Sequence, residues 1–146
     1  MLRVIIGCLL APFFISCTGS DKAGVRSKER DIVINNPTID SELTLLMRKM
    51  YDDADSIKQS IKNNTGNITE EFIAELELVH TATPSDPKLN NPAFTAFNEL
   101  LITEAKALKN QKEGKVEGFN RLVNKCIDCH KTFCPGPIPR IKKLKI

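Results

Sequence analysis

The residues with the strongest chemical signal are five consecutive positions, Cys126-Ile127-Asp128-Cys129-His130. Cys-x-x-Cys followed at once by His is the attachment signature for c-type haem. On a helix, residues three and four apart share a face, so both sulfurs and the imidazole project from one side. Two thioether bonds can then clamp a porphyrin edge while His130 reaches the iron from one face. Three other readings compete. A structural zinc site on Cys126, Cys129, His130 and Cys134 asks adjacent Cys and His on one helix to converge on a tetrahedral ion, whereas zinc ligands usually come as two separated pairs. A thioredoxin-like redox pair wants a βαβ setting, and a disulfide between residues three apart on a helix is strained. Haem c, one group and covalent, is the expectation.

Positioning these groups requires helices, and four amphipathic stretches supply them. From Ile39 on, Leu43, Met47, Met50, Ala54, Ile57 and Ile61 recur at alternating steps of four and three, with Asp40 or Ser41 as N-cap and Asn64 to Asn67 as the stop. A second helix opens at Thr69, turns Phe72, Ile73, Leu76 and Val79 inward, and is closed by Thr-Pro-Ser-Asp-Pro at 83–87. Asn91-Pro92 caps a third, whose face is Phe94, Phe97, Leu101, Ala105 and Leu108 and which stops by Gly114. The fourth starts near Lys115 and aligns Phe119, Leu122, Val123, Cys126, His130 and Phe133, before Pro135-Gly136-Pro137 forbids continuation. Helices of about 14–24 residues with mostly short connections predict an all-α domain over 39–134, an antiparallel up-down-up-down four-helix bundle with covalently bound haem. In that topology the start of helix 1 lies level with the end of helix 4. Composition agrees: the 146 residues are 41% hydrophobic but only 5% aromatic, with no Trp, which suits helices better than a β-sandwich.

A four-helix bundle with Cys-x-x-Cys-His near the end of its last helix and Phe three residues later resembles the cytochrome c-prime superfamily. The resemblance covers 39–134 and is sharpest at Lys125-Cys126-Ile127-Asp128-Cys129-His130-Lys131-Thr132-Phe133. High-spin members of that superfamily leave the distal side of the iron open or blocked by an apolar side chain; low-spin members supply a methionine from helix 1. By resemblance, Leu46-Met47-Arg48 holds the position of that methionine, which makes His130 the proximal and Met47 the distal iron ligand. Heights along the helices agree. Met47 lies about 10 Å past Asp40 and His130 about 7.5 Å before Pro135, at 1.5 Å per residue. Met50 is on the same stripe nearly a turn deeper and is the second choice. Against both stands the ordinary role of methionine at helical spacing, filling core space. His80, at the end of helix 2, reads as an exposed helix-terminal residue.

His/Met ligation closes the iron to exogenous ligands and raises its reduction potential, so the expected function is one-electron transfer to redox protein partners. The alternative is a five-coordinate haem module that binds or senses nitric oxide or another small gas. Helix 1 offers Arg48, Lys49, Tyr51 and Asp52 but no inward histidine for peroxidase-like acid/base work, so no enzyme is expected. The resemblance also extends to a homodimer paired through helix 1 faces.

The ends of the chain set its location. Met1-Leu2-Arg3 precedes an apolar run from Val4 to Ile15, a signal-peptide pattern too short to span a bilayer. Phe14-Ile15-Ser16-Cys17 resembles the lipobox of bacterial lipoproteins, which implies removal of residues 1–16 and acylation of Cys17. An ordinary signal peptide or an uncleaved anchor is the plainer reading. Removal takes one charge, Arg3, so the formal +3 becomes +2. Residues 17–38 read as a lipid-anchored flexible tether holding the domain near a membrane in the periplasm or cell envelope. A charge of that size is too weak for nucleic acid. Residues 135–146 form a Pro-rich basic tail with Arg140, Lys142, Lys143 and Lys145. It would steer acidic redox partners, rest on anionic phospholipid, or lie solvated. Cys8 leaves with the leader and Cys134 is left without a mate, a free thiol or an interchain bridge.

Overall fold

The computed structural model describes residues 40–146, so the expected leader, the acylation site Cys17 and the tether lie outside the described residues. The described part is helical, with no strand among the described residues. None of its helices is long and apolar enough to cross a membrane.

Each main helix starts where its sequence offers a cap. Helix α1 (Glu42–Lys62) is opened by Ser41, whose Oγ accepts from the Thr44 N–H at 3.3 Å, with Glu42 in its first turn and Lys62 in its last, both complementing the helix dipole. Thr69 opens α2 (Glu70–Leu78) in the same way. Asn91 opens α3 (Pro92–Asn110) ahead of a proline whose missing N–H is one the helix would leave unpaired anyway. Helix α4 (Lys115–Phe133) has no side-chain cap. The chain turns into it through Gly114 at φ 64°, a left-handed conformation that glycine adopts without a Cβ clash.

Helix α2 is much shorter than its sequence pattern suggests. Its inward residues Phe72, Ile73 and Leu76 are buried as expected, but the helix ends at Leu78. The Thr81 hydroxyl and the Ala82 N–H both bond the Leu78 carbonyl, and Thr83 is then drawn to the start of α1. There the Leu43 N–H donates to the Thr83 carbonyl at 3.0 Å and Glu42 Oε2 accepts from the Thr83 N–H at 3.0 Å. These tertiary bonds outweigh two or three more helical residues that end against Pro84 in any case.

One core gathers side chains from all four helices, including Met50, Ile57, Leu76, Leu108, Phe119 and Val123. Helix α4 packs most extensively on α3, α2 touches both α1 and α3, and α1 also meets α4. The α3–α4 contact is close because position 118 is glycine. A Cβ there would meet Leu108 Cδ1 and Gln111 Oε1 at 2.7 Å each. The α3 carbonyls of Leu108 and Lys109 in turn accept from Asn67 just before α2.

The basic tail folds back on this core. After Pro135 it forms a short helix, α5 (Ile138–Ile141), and a 3-10 turn (Lys142–Leu144), burying Ile141 and Leu144 to 8% and 3% exposure. Arg140 lies 4.0 Å from the centroid of the Tyr51 ring and beside Asp52, Lys58 donates to the Lys143 carbonyl at 2.6 Å, and Asn120 exchanges two hydrogen bonds with the Ile146 backbone. The reading of a solvated tail missed Ile138, Ile141 and Leu144, three apolar residues at helical spacing between the basic ones.

Candidate functional site

The end of α4 is shaped by a proline. Pro135 disfavours the helical conformation for the residue before it, and Cys134 leaves the helix at φ −154°, ψ 80°. Two reciprocal contacts follow. The Cys134 N–H donates to the His130 carbonyl at 3.0 Å, and His130 Nδ1 lies 2.9 Å from the Cys134 carbonyl oxygen. A carbonyl only accepts, so Nδ1 is the donor in this contact and Nε2 is the ring nitrogen left for another partner. A histidine held this way is prepared to bind a metal through Nε2, with its ring orientation fixed by the second bond.

Met47, Met50, Cys126, Cys129 and His130, all singled out from the sequence, line a single cavity. Met50 is 7% exposed, while Met47, Cys126, Cys129 and His130 are half-buried, so the cavity reaches the surface along the α4 side. Its remaining wall is mostly apolar, with Ala54, Phe72, Leu76, Leu101 and, from the tail, Ile141 and Leu144, and also holds Tyr51 and Asn98. At the end of α4, the Phe133 ring meets Phe94 and Phe97 edge to face at 5.4 and 5.6 Å between centroids, which ties the start of α3 to the His130 turn.

The two thiols are kept neutral. Burial pushes Cys126 up to about 12, with Cys129 beside it adding to the effect, and burial pushes Cys129 up to about 11. That is the opposite of what a thioredoxin-like pair needs, since there a depressed pKa generates the attacking thiolate. Cys126, Cys129 and Cys134 form no disulfide among themselves. Among the described residues no three His, Cys, Asp or Glu side chains converge as a structural zinc site requires.

The donor set suits a haem. Two neutral thiols, one histidine with Nε2 presented, and two thioether sulfurs around an apolar wall are the groups that covalent attachment and axial ligation use. The space is tighter than the chemistry. The cavity has a volume of about 80 Å³, well short of a porphyrin, but an open groove of about 550 Å³ adjoins it and shares Val79 and Phe94 as lining. Phe94, which lines both spaces, is half-buried. His80 is exposed, as expected, and lines this outer groove rather than the cavity.

The sequence reading passed over Asn98. It is 3% exposed and lines the cavity. The signal was present, because Phe94, Asn98, Leu101, Ala105 and Leu108 step by four, three, four and three, a more regular stripe than the one drawn through Phe97. Polarity hid it. Compared with known proteins, the chain matches no family model, no curated relative and no solved structure.

Proposed function

We propose that this protein is a c-type cytochrome that transfers single electrons through one covalently attached haem. The observation that supports this most is the shared cavity of Cys126, Cys129, His130, Met47 and Met50, with the His130 ring held through Nδ1 by the Cys134 carbonyl so that Nε2 remains for a ligand. In this reading the four main helices form an antiparallel up-down-up-down bundle, and haem sits at the end where α4 finishes and α1 begins. Cys126 and Cys129 would hold the porphyrin by thioethers, and His130, with Met47 ahead of Met50, would bind its iron. Bound there, haem c supplies a ferric/ferrous one-electron couple.

The chain's own residues account for the rest. The Cys134 carbonyl accepts the Nδ1 proton, which makes the imidazole a stronger donor and prevents its rotation. Ala54, Phe72, Leu76 and Leu101 would keep water out of the cavity. The half-buried Cys129 would leave a short path to a partner at the surface, and the exposed Lys142 and Lys143, between Ile141 and Leu144 of the same cavity wall, would attract acidic redox proteins. A signal peptide and lipid on Cys17 would hold this domain at a bacterial membrane facing the periplasm or cell exterior. If neither methionine ligated, the same apolar wall would suit a neutral gas such as nitric oxide.

Intact mass of the full chain, produced with a haem-attachment system, tests the proposal. One covalent haem is expected on the wild type and none on the Cys126→Ala, Cys129→Ala double variant. A wild type whose mass equals that of the polypeptide alone overturns the reading.

A further inference from the structure

The amide of Asn98 is buried with one end unsatisfied. Its Nδ2 donates to the Leu76 carbonyl at 2.9 Å, whereas Oδ1 has no hydrogen-bond partner. Leaving such an acceptor unpaired is costly, and an apolar side chain of the same shape would avoid the cost. The amide cannot turn over to relieve this, because Oδ1 would then face the Leu76 carbonyl, acceptor against acceptor. Asn98 is thus a dipole of fixed sense, its positive end tied to α2 and its negative end unpaired and buried within the wall of the cavity that Met47, Met50 and His130 also line. In a low-dielectric wall of leucine and phenylalanine, a dipole acts more strongly than in water.

We propose that Asn98 sets the redox potential of the site, its free amide oxygen stabilising the oxidised and more positive state of the metal that His130 holds. The inference rests on the haem reading above. Hydrogen bonding and polarity around a haem are among the main ways a protein adjusts its potential, and an oxygen presented to the iron side lowers it. Asn98 is none of the residues assigned to the thioethers or to the iron, so its removal should change the potential without changing the ligands.

Potentiometric titration of the full haem-bearing chain, with chemical mediators supplying the electron and the visible spectrum reporting oxidation state, tests this with two variants. Asn98→Leu keeps the volume and removes the dipole, and the Leu76 carbonyl still accepts from the Val79 N–H at 3.4 Å. Asn98→Asp keeps an oxygen at the position of Oδ1 whether neutral, with its hydroxyl on Leu76, or ionised. The expected result is an Asn98→Leu reduction constant about tenfold higher, which is about 59 mV for one electron. Asn98→Asp should lie at or below the wild type, and all three proteins should show the same ligand spectrum. An unmoved Leu variant overturns the proposal, as does an upward shift in both variants, the mark of general loosening. Should the Leu variant not fold, an Asp variant above the wild type overturns it alone. A wild type that matures without haem removes the functional reading and this one together, whereas a haem-bearing wild type with an unmoved Leu variant removes only this one.

Discussion

At the scale of single residues, the site depends on protons being kept where they are. Cys126 and Cys129 hold theirs far above the ordinary thiol range, so before haem attachment the folded domain binds protons that the unfolded chain releases. Stability therefore falls as pH rises from about 9, where unfolded thiols ionise, towards the folded values near 11 and 12. Denaturant midpoints of the haem-free domain at pH 8 and pH 10.5 should show this loss, and the Cys126→Ala, Cys129→Ala double variant should lose less. Alkylation of the same domain at pH 8 should label the exposed Cys134 first. Met50→Leu should leave the haem spectrum intact and cost less than about 1.5 kcal/mol in a denaturant titration, because the swap conserves volume in the core. At this scale the cysteines and His130 were legible because adjacency in sequence becomes one helix face. Asn98 was not, because a polar residue on an apolar stripe looks like a gap until the opposite helix shows what it bonds.

At the scale of elements, two contacts carry more than their length suggests. Gly118 lets α4 approach α3, and the atoms a Cβ would strike cannot easily move. Leu108 is fully buried, and Gln111 is bonded to the carbonyls of Glu113 and Gly114. Gly118→Ala should therefore cost about 1–3 kcal/mol by overpacking, despite the gain in helix propensity, and equilibrium denaturation will show it. The folded tail is the second contact. Leu144→Ala removes a buried side chain that closes the cavity and should cost about 2–5 kcal/mol. A midpoint unchanged in this variant would mean that the tail does not pack in solution. The caps Ser41, Thr69 and Asn91 and the stop at Pro135 were readable, since each acts on its own neighbours. The end of α2 and the docking of α5 were not, since the first is decided by Glu42 and Leu43 and the second by Tyr51, Lys58 and Asn120, all distant in sequence.

At the scale of the whole molecule, the described residues form a helical fold in which four helices and the folded tail line a shared, mostly apolar cavity. Period and capping predict that helical class directly, because hydrophobic spacing is a local property. The pairing of helices and the gathering of Met47, Met50 and His130 depend on contacts across the chain, and heights along two helices gave only their level. The central claim is that His130 and Met47 together bind a haem held by Cys126 and Cys129, and the most direct measurement is the visible spectrum of the full chain in both oxidation states beside that of Met47→Ala. The account predicts a low-spin wild type whose ferric form shows the sulfur-to-iron charge-transfer band, and loss of that band in the variant. A high-spin wild type that Met47→Ala leaves unchanged would contradict it.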